Sequence, residues 1–195
     1  MCLEDALKKV ILFDFFGVIC SEVSPFWFRR HFDEADAIAI KADVVAKGDI
    51  GLIDEGEVFA RISARTCVPA ETILREWESA SVINDELVEY ILRLRSKAPV
   101  YLLSNAIGPF LKRILDRYDL WKLFDRVFIS SELGIAKPDP KFFTEVLTQI
   151  GADANDAVMI DDNPHNIDGA ATAGVDGIIF RSNDLLFEEL DRILN

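Results

Sequence analysis

Five short apolar runs punctuate the chain: Val10 to Phe13, Val100 to Leu103, Val127 to Ile129, Val158 to Ile160 and Gly177 to Phe180. None alternates apolar with polar residues, so each predicts a strand covered on both faces. Between them, apolar residues recur at helical spacing over Asp85 to Ser96, Phe110 to Tyr118, Pro140 to Ile150, Asn166 to Ala173 and Leu185 to Leu194. Strand and helix alternate, which predicts an α/β fold on a doubly wound parallel sheet. Ligands of such sheets bind beyond the carboxyl ends of the strands.

Residues 20–84 break this pattern. They hold amphipathic stretches at Pro25 to Phe32, Ala37 to Lys47, Glu55 to Ala64 and Pro69 to Trp77, with no buried strand among them. A helical insertion is expected. Ser24-Pro25 offers a helix cap with proline in the first turn, Lys47-Gly48-Asp49 reads as a helix stop, and Gly51 to Gly56 as a turn. The expected division is a core of residues 1–20 with 85–195, and an insertion over 21–84.

Composition narrows the partners. With 195 residues, half of them hydrophobic, the chain buries a substantial core. Thirty-four acidic against 21 basic residues leave a net charge of −13. That field repels phosphate backbones and anionic membranes, so neither nucleic acid nor a membrane is an expected partner, while a local cationic pocket could still hold a small phosphate. Cys2, Cys20 and Cys67 lack the close pairing of a zinc site or disulfide framework and read as reduced thiols. The opening MCLEDALKKV carries acids before its apolar run, and Asp14 ends that run far short of a membrane span. A cytoplasmic location is expected.

The chemistry lies where the apolar runs end. VILFDFFGVI delivers Asp14, VYLLSNA delivers Ser104 and Asn105, GIAKPDP delivers Lys137, and AVMIDDNPHNIDGA delivers Asp161 and Asp162. A carboxylate nucleophile, a hydroxyl, an amide, a cation and a pair of acids suit phosphoryl transfer at a magnesium ion. Three converging carboxylates about 5 Å apart would repel by roughly 3 kcal/mol per pair at an effective dielectric near 20. A divalent cation removes that conflict, and oxygen ligands favour magnesium over softer metals.

These four motifs, in this order and with a helical insertion after the first, resemble those of the haloacid dehalogenase superfamily. Its members are mostly magnesium-dependent phosphatases that work through an aspartyl-phosphate. The resemblance implies a Rossmann-like core under a helical cap, with Asp14 as nucleophile. It implies Ser104 and Lys137 as further catalytic groups that hold the phosphoryl group, with Asn105 beside them at the substrate. The metal ligands it implies are Asp14, the backbone carbonyl of Phe16, Asp161 and Asp162. The cofactor would be Mg²⁺ and the substrate a small phosphorylated metabolite.

Phe16 departs from the family's pattern. Its phosphatases usually carry an aspartate there, which protonates the leaving oxygen and later activates water. Losing a general acid and base commonly costs about 10² to 10⁴ in rate. Ser21 and Glu22 follow closely, and His165 lies beside the last motif, so these three are the candidates to replace it. His31 reads as a packing or surface residue, and Trp27, Phe28 and Phe32 as the insertion's own core. Asp162 or Asn163 could also cap the helix that follows.

Two other functions fit parts of the pattern. A metal-free 2-haloacid dehalogenase would tolerate an aromatic residue at Phe16 but has little use for Asp161 and Asp162. A catalytically weak phosphometabolite-binding or regulatory protein would tolerate the missing proton shuttle.

Overall fold

The computed structural model describes residues 9–194, so Cys2 and most of the acidic opening segment lie outside the described residues. In chain order the elements are β1 (Val10–Phe13), α1 (Ser24–His31), α2 (Glu34–Ile40), α3 (Ala46–Asp49), α4 (Glu55–Thr66), α5 (Ala70–Ala80) and α6 (Asp85–Leu94). Then follow β2 (Val100–Ser104), α7 (Gly108–Arg117), β3 (Arg126–Ile129), α8 (Ser130–Leu133), α9 (Pro140–Ile150), β4 (Ala157–Asp161), α10 (Pro164–Thr172), β5 (Asp176–Ile179) and α11 (Asn183–Leu194). All five strands pair in parallel, in the order β3-β2-β1-β4-β5. This is the doubly wound α/β sheet that the apolar runs predict.

Side chains on a strand alternate between faces, and here both faces are covered. Ile11 and Phe13 of β1, Leu102 of β2 and Ile160 of β4 enter one core. Val10, Leu12, Leu103 and Met159 enter the other, against Phe142, Phe143 and Val146 of α9. The helices show matching stripes: Leu87, Tyr90, Ile91 and Leu94 are the buried residues of α6, three to four positions apart. Asn84 caps that helix by accepting the Leu87 N–H at 3.3 Å.

Helices α1 to α5 lie between β1 and β2 in the chain and share the first of these cores. Trp77 of α5 is its aromatic centre, with ring centroids 5.8 Å from Phe28, 5.2 Å from Phe59 and 5.9 Å from Phe110 of α7. Trp27 and Phe28 are buried there, as expected, and His31 stacks on Trp27 at 3.9 Å. Ion pairs add a second connection: Arg113 of α7 bonds Glu55 of α4 at 2.7 Å and Glu78 of α5 at 2.8 Å. Burial pushes the Glu78 carboxyl up, but the hydrogen bonds and charges of Arg113 and Arg117 outweigh it and hold it low.

Three local expectations change. Ser24 is the first helical residue of α1 rather than its cap; Val23 takes the cap position and offers no side-chain acceptor. The single helix expected over Ala37 to Lys47 starts earlier, behind Asp33, whose side chain accepts the Asp36 N–H at 2.9 Å. It then loosens into a π-helical turn at Lys41–Val45 before α3. The last strand begins at Asp176, because pairing with Val158 recruits a polar residue that periodicity cannot see. Cys20 and Cys67 are free thiols.

Candidate active site

The order of strands decides where the polar residues meet. From β1 the chain runs outward through β2 to β3, then returns to place β4 on the other side of β1. A crevice opens at such a switch point, at the carboxyl ends of the strands. Asp14 follows β1, Ser104 ends β2 and Asp161 ends β4. The Asp14 N–H donates to the Ile160 carbonyl at 2.9 Å, so Asp14 and Asp161 leave the sheet side by side.

Lys137 reaches them from the segment between α8 and α9. Its ammonium lies 2.8 Å from Asp14 Oδ1 and 2.6 Å from Asp161 Oδ2, and is buried. Asn105 holds that segment in place: its Nδ2 donates to the Lys137 carbonyl at 2.7 Å and its Oδ1 accepts the Lys137 N–H at 2.9 Å. Both ends of the Asn105 amide are thus engaged by Lys137 backbone. Asp161 is held further by the Asn163 N–H at 2.9 Å and by Asn166 Nδ2 at 3.0 Å. Asn163, not Asp162, caps α10, accepting the His165 N–H at 3.0 Å.

Ser104 Oγ is the exception in this well-partnered cluster. It is buried and has no hydrogen-bond partner among the described residues. An orphaned buried hydroxyl costs about 1 to 3 kcal/mol unless a ligand satisfies it, so its place at the carboxyl end of β2, the strand next to β1, suits the oxygen of a bound anion.

One carboxylate oxygen each from Asp14, Asp161 and Asp162 lies within 4.8 Å of the other two. Three oxygen donors at that spacing fit a hard divalent cation such as magnesium. The approach of Asp162 depends on Gly17, whose φ is +86° and where a Cβ would collide with the Asp162 carboxylate. The electrostatics of the three acids suit a cation ligand set. Burial pushes Asp14 well above the usual carboxylate range, with Lys137 opposing and Asp161 adding to the rise. Burial and the Asp161 charge likewise raise Asp162. Burial would lower Lys137, but Asp14 and Asp161 outweigh it and keep the ammonium charged.

The site opens into a cavity of about 150 Å³. Asp14, Asn105, Asp162 and Asn166 line its sheet side; Trp77, Phe110 and Phe16 form an aromatic wall, with the Phe16 and Phe110 rings stacked at 6.0 Å. Glu22, Lys41 and Asp49 complete the lining. Desolvation in this concave setting raises the Asp49 carboxyl to about 7 against the pull of Lys41, and raises Glu22 as well.

Lys41 and Asp49 escape sequence reasoning. Lys41 falls inside an amphipathic stretch, and Asp49 reads as part of a helix stop. What fixes Asp49 is remote: its carbonyl accepts the Ser130 hydroxyl, which in turn accepts the Ala106 N–H at 3.0 Å. Of the three candidates for proton transfer, Glu22 alone lines the cavity. Ser21 Oγ donates to the Ala80 carbonyl at 2.8 Å and accepts the Val82 N–H at 3.0 Å, and His165 is exposed.

Known proteins share this architecture. A haloacid dehalogenase family enzyme from Bacteroides thetaiotaomicron, solved with magnesium and inorganic phosphate, superposes with a TM-score of 0.77 at 25% identity, over 92% of this chain and 99% of the other. Drimenol cyclase from Aspergillus calidoustus is 36% identical over 161 residues, which cover 79% of this chain and 30% of that protein. A sesquiterpene phosphatase from Aspergillus oryzae is 33% identical over 79 residues, 40% of each chain. The chain thus spans well under half the length of these two curated relatives. The model of haloacid dehalogenase-like hydrolases matches residues 8–174, and the protein belongs to that family.

Proposed function

We propose that this hydrolase is a magnesium-dependent phosphatase of a small phosphorylated metabolite, working through an aspartyl-phosphate on Asp14. One observation carries the reading: a buried carboxylate is paired with a buried lysine and converges with two further acids, at the sheet end where an unpartnered serine hydroxyl closes the neighbouring strand. The magnesium and phosphate bound by the Bacteroides neighbour and the activity named for the Aspergillus oryzae relative support it.

Each residue has a physical task. Asp14 Oδ attacks phosphorus in line with the leaving oxygen, and Ser104 Oγ and Lys137 Nζ hold the equatorial oxygens, offsetting their charge as the bond forms. Asn105 positions Lys137 through its backbone. Asp14, the Phe16 carbonyl, Asp161 and Asp162 would hold the magnesium ion. When bound, that ion supplies charge neutralisation at the phosphoryl oxygens and removes the repulsion among the three acids. In this reading α1 to α5 act as the cap, with the division at residues 21 and 84, and the protein works in the cytoplasm. Phe16 stands where phosphatases of the family usually carry their proton shuttle.

The test is hydrolysis of an activated aryl phosphate with magnesium and with excess chelator, by the parent protein and by Asp14→Asn. Magnesium-dependent turnover that Asp14→Asn abolishes is the expected result. Turnover that survives in folded Asp14→Asn would overturn the reading.

A further inference from the structure

The missing proton shuttle leaves a chemical gap. Efficient hydrolysis of an alkyl phosphate calls for a group that protonates the leaving oxygen and accepts a proton from water, and the ring of Phe16 can do neither. Three observations point to one replacement. Glu22 lines the cavity into which Asp14 opens. Its side chain makes no hydrogen bond or ion pair among the described residues, unlike Ser21. It also lies in the segment that leaves the site after Asp14 and ahead of α1, so one short stretch of chain carries both groups.

We propose that Glu22 is the proton-transfer residue of this site, entering from the segment that follows motif one rather than from within it. The inference rests on the phosphatase reading above. In the first step the bond between Asp14 Oδ and phosphorus forms, the ester P–O bond breaks, and its electron pair takes the proton of the Glu22 carboxyl. In the second, a water oxygen bonds to phosphorus and the water's proton passes to the Glu22 carboxylate. The P–O bond to Asp14 breaks, returning its electron pair to that carboxylate.

The surroundings suit both roles. Burial raises Glu22, with Asp162 and Asp161 adding to the rise and Lys41 and Lys137 opposing it, the direction that suits a proton donor. Cys20 is close to Glu22 in the chain, but burial pushes its thiol up to about 11, leaving it neutral. Asp49 is the nearest rival. It lines the same cavity from the end of α3, also without a side-chain hydrogen bond or ion pair among the described residues, so the paired variants below decide between the two.

Glu22→Gln and Asp49→Asn, each checked for the parent's melting behaviour, separate the roles. With magnesium, Glu22→Gln should lose about 10² to 10⁴ in kcat/KM for an alkyl phosphate and far less for an activated aryl phosphate, whose leaving group needs no proton. The loss of kcat/KM for alkyl phosphate as pH rises, which reports the acid form, should flatten in Glu22→Gln. Aryl phosphate should now build up acid-labile phosphoenzyme, because water lacks its base. Adding Phe16→Asp should restore part of the alkyl rate. If Glu22→Gln depresses both substrates equally, or if Asp49→Asn and not Glu22→Gln changes the alkyl to aryl ratio, Glu22 is not the proton-transfer group. Absence of any phosphoenzyme in the parent and in Glu22→Gln alike during magnesium-dependent turnover, by contrast, would count against the phosphatase reading itself.

Discussion

The two walls of the cavity use charge in opposite ways. On the sheet side Lys137, Asp14 and Asp161 are buried and bonded to one another, with Asn163 and Asn166 holding Asp161 and Asn105 holding the Lys137 backbone. On the helical side Glu22, Lys41 and Asp49 line the same space with no hydrogen bond or ion pair from their side chains among the described residues. The contrast is one of preorganisation. Fixed groups act on a part that every substrate shares, because their orientation is set before binding, and the phosphoryl group is that part. Unpaired groups at the opposite wall are left for the part that differs, the leaving group.

Activity should show the largest asymmetry. Asp14→Asn should lower turnover by at least about 10⁴, as removal of a nucleophile does elsewhere, while an equivalent change on the other wall, Asp49→Asn, should leave an activated aryl phosphate within a few-fold of the parent. Steady-state rates with magnesium check both.

Stability should follow the same division. Lys137→Met strips a buried cation from two buried carboxylates and should cost about 3 to 5 kcal/mol in urea unfolding with chelator present. Magnesium should recover part of the loss by supplying the missing charge. Lys41→Met removes an exposed cation without a bonded partner and should stay within about 0.5 kcal/mol of the parent. Equal costs for the two would erase the distinction between the walls.

Ser104→Ala should separate function from folding. Its hydroxyl has no partner among the described residues, so unfolding free energy should be unchanged or slightly raised, while kcat/KM falls about 10-fold to 100-fold as a charge-assisted hydrogen bond is lost. The smallest effect on turnover should be that of Arg113→Ala, whose pairs with Glu55 and Glu78 join the inserted helices to α7 at a partly exposed position. A loss near 1 kcal/mol that shrinks with added salt is expected, with aryl phosphate turnover nearly unchanged.

The sheet side was legible in the sequence and the helical side was not, for physical reasons. Asp14, Ser104 and Asp161 each end an apolar run, and parallel pairing brings the ends of such runs together whatever the intervening chain does. Lys137 could be named, but not the reciprocal bonds by which Asn105 holds it, since the two are 32 residues apart. Asp49 depends on a contact with Ser130 across 81 residues, and Lys41 on a π-helical turn that no local propensity marks. Short elements were lost for the same reason: α8 has four residues and no periodicity to display. Glu22 was visible as an acid close to motif one, but its separation from Ser21 as a cavity residue required the bonds that tie Ser21 to Ala80 and Val82.

The direct measurement is acid quenching of the protein during turnover of an aryl phosphate, followed by mass spectrometry of the peptide that contains Asp14. A phosphorylated Asp14 that appears only with magnesium, and never in Asp14→Asn, is the expected result. Steady magnesium-dependent turnover with Asp14 unmodified at every quench time, in Glu22→Gln as well as the parent, would contradict it.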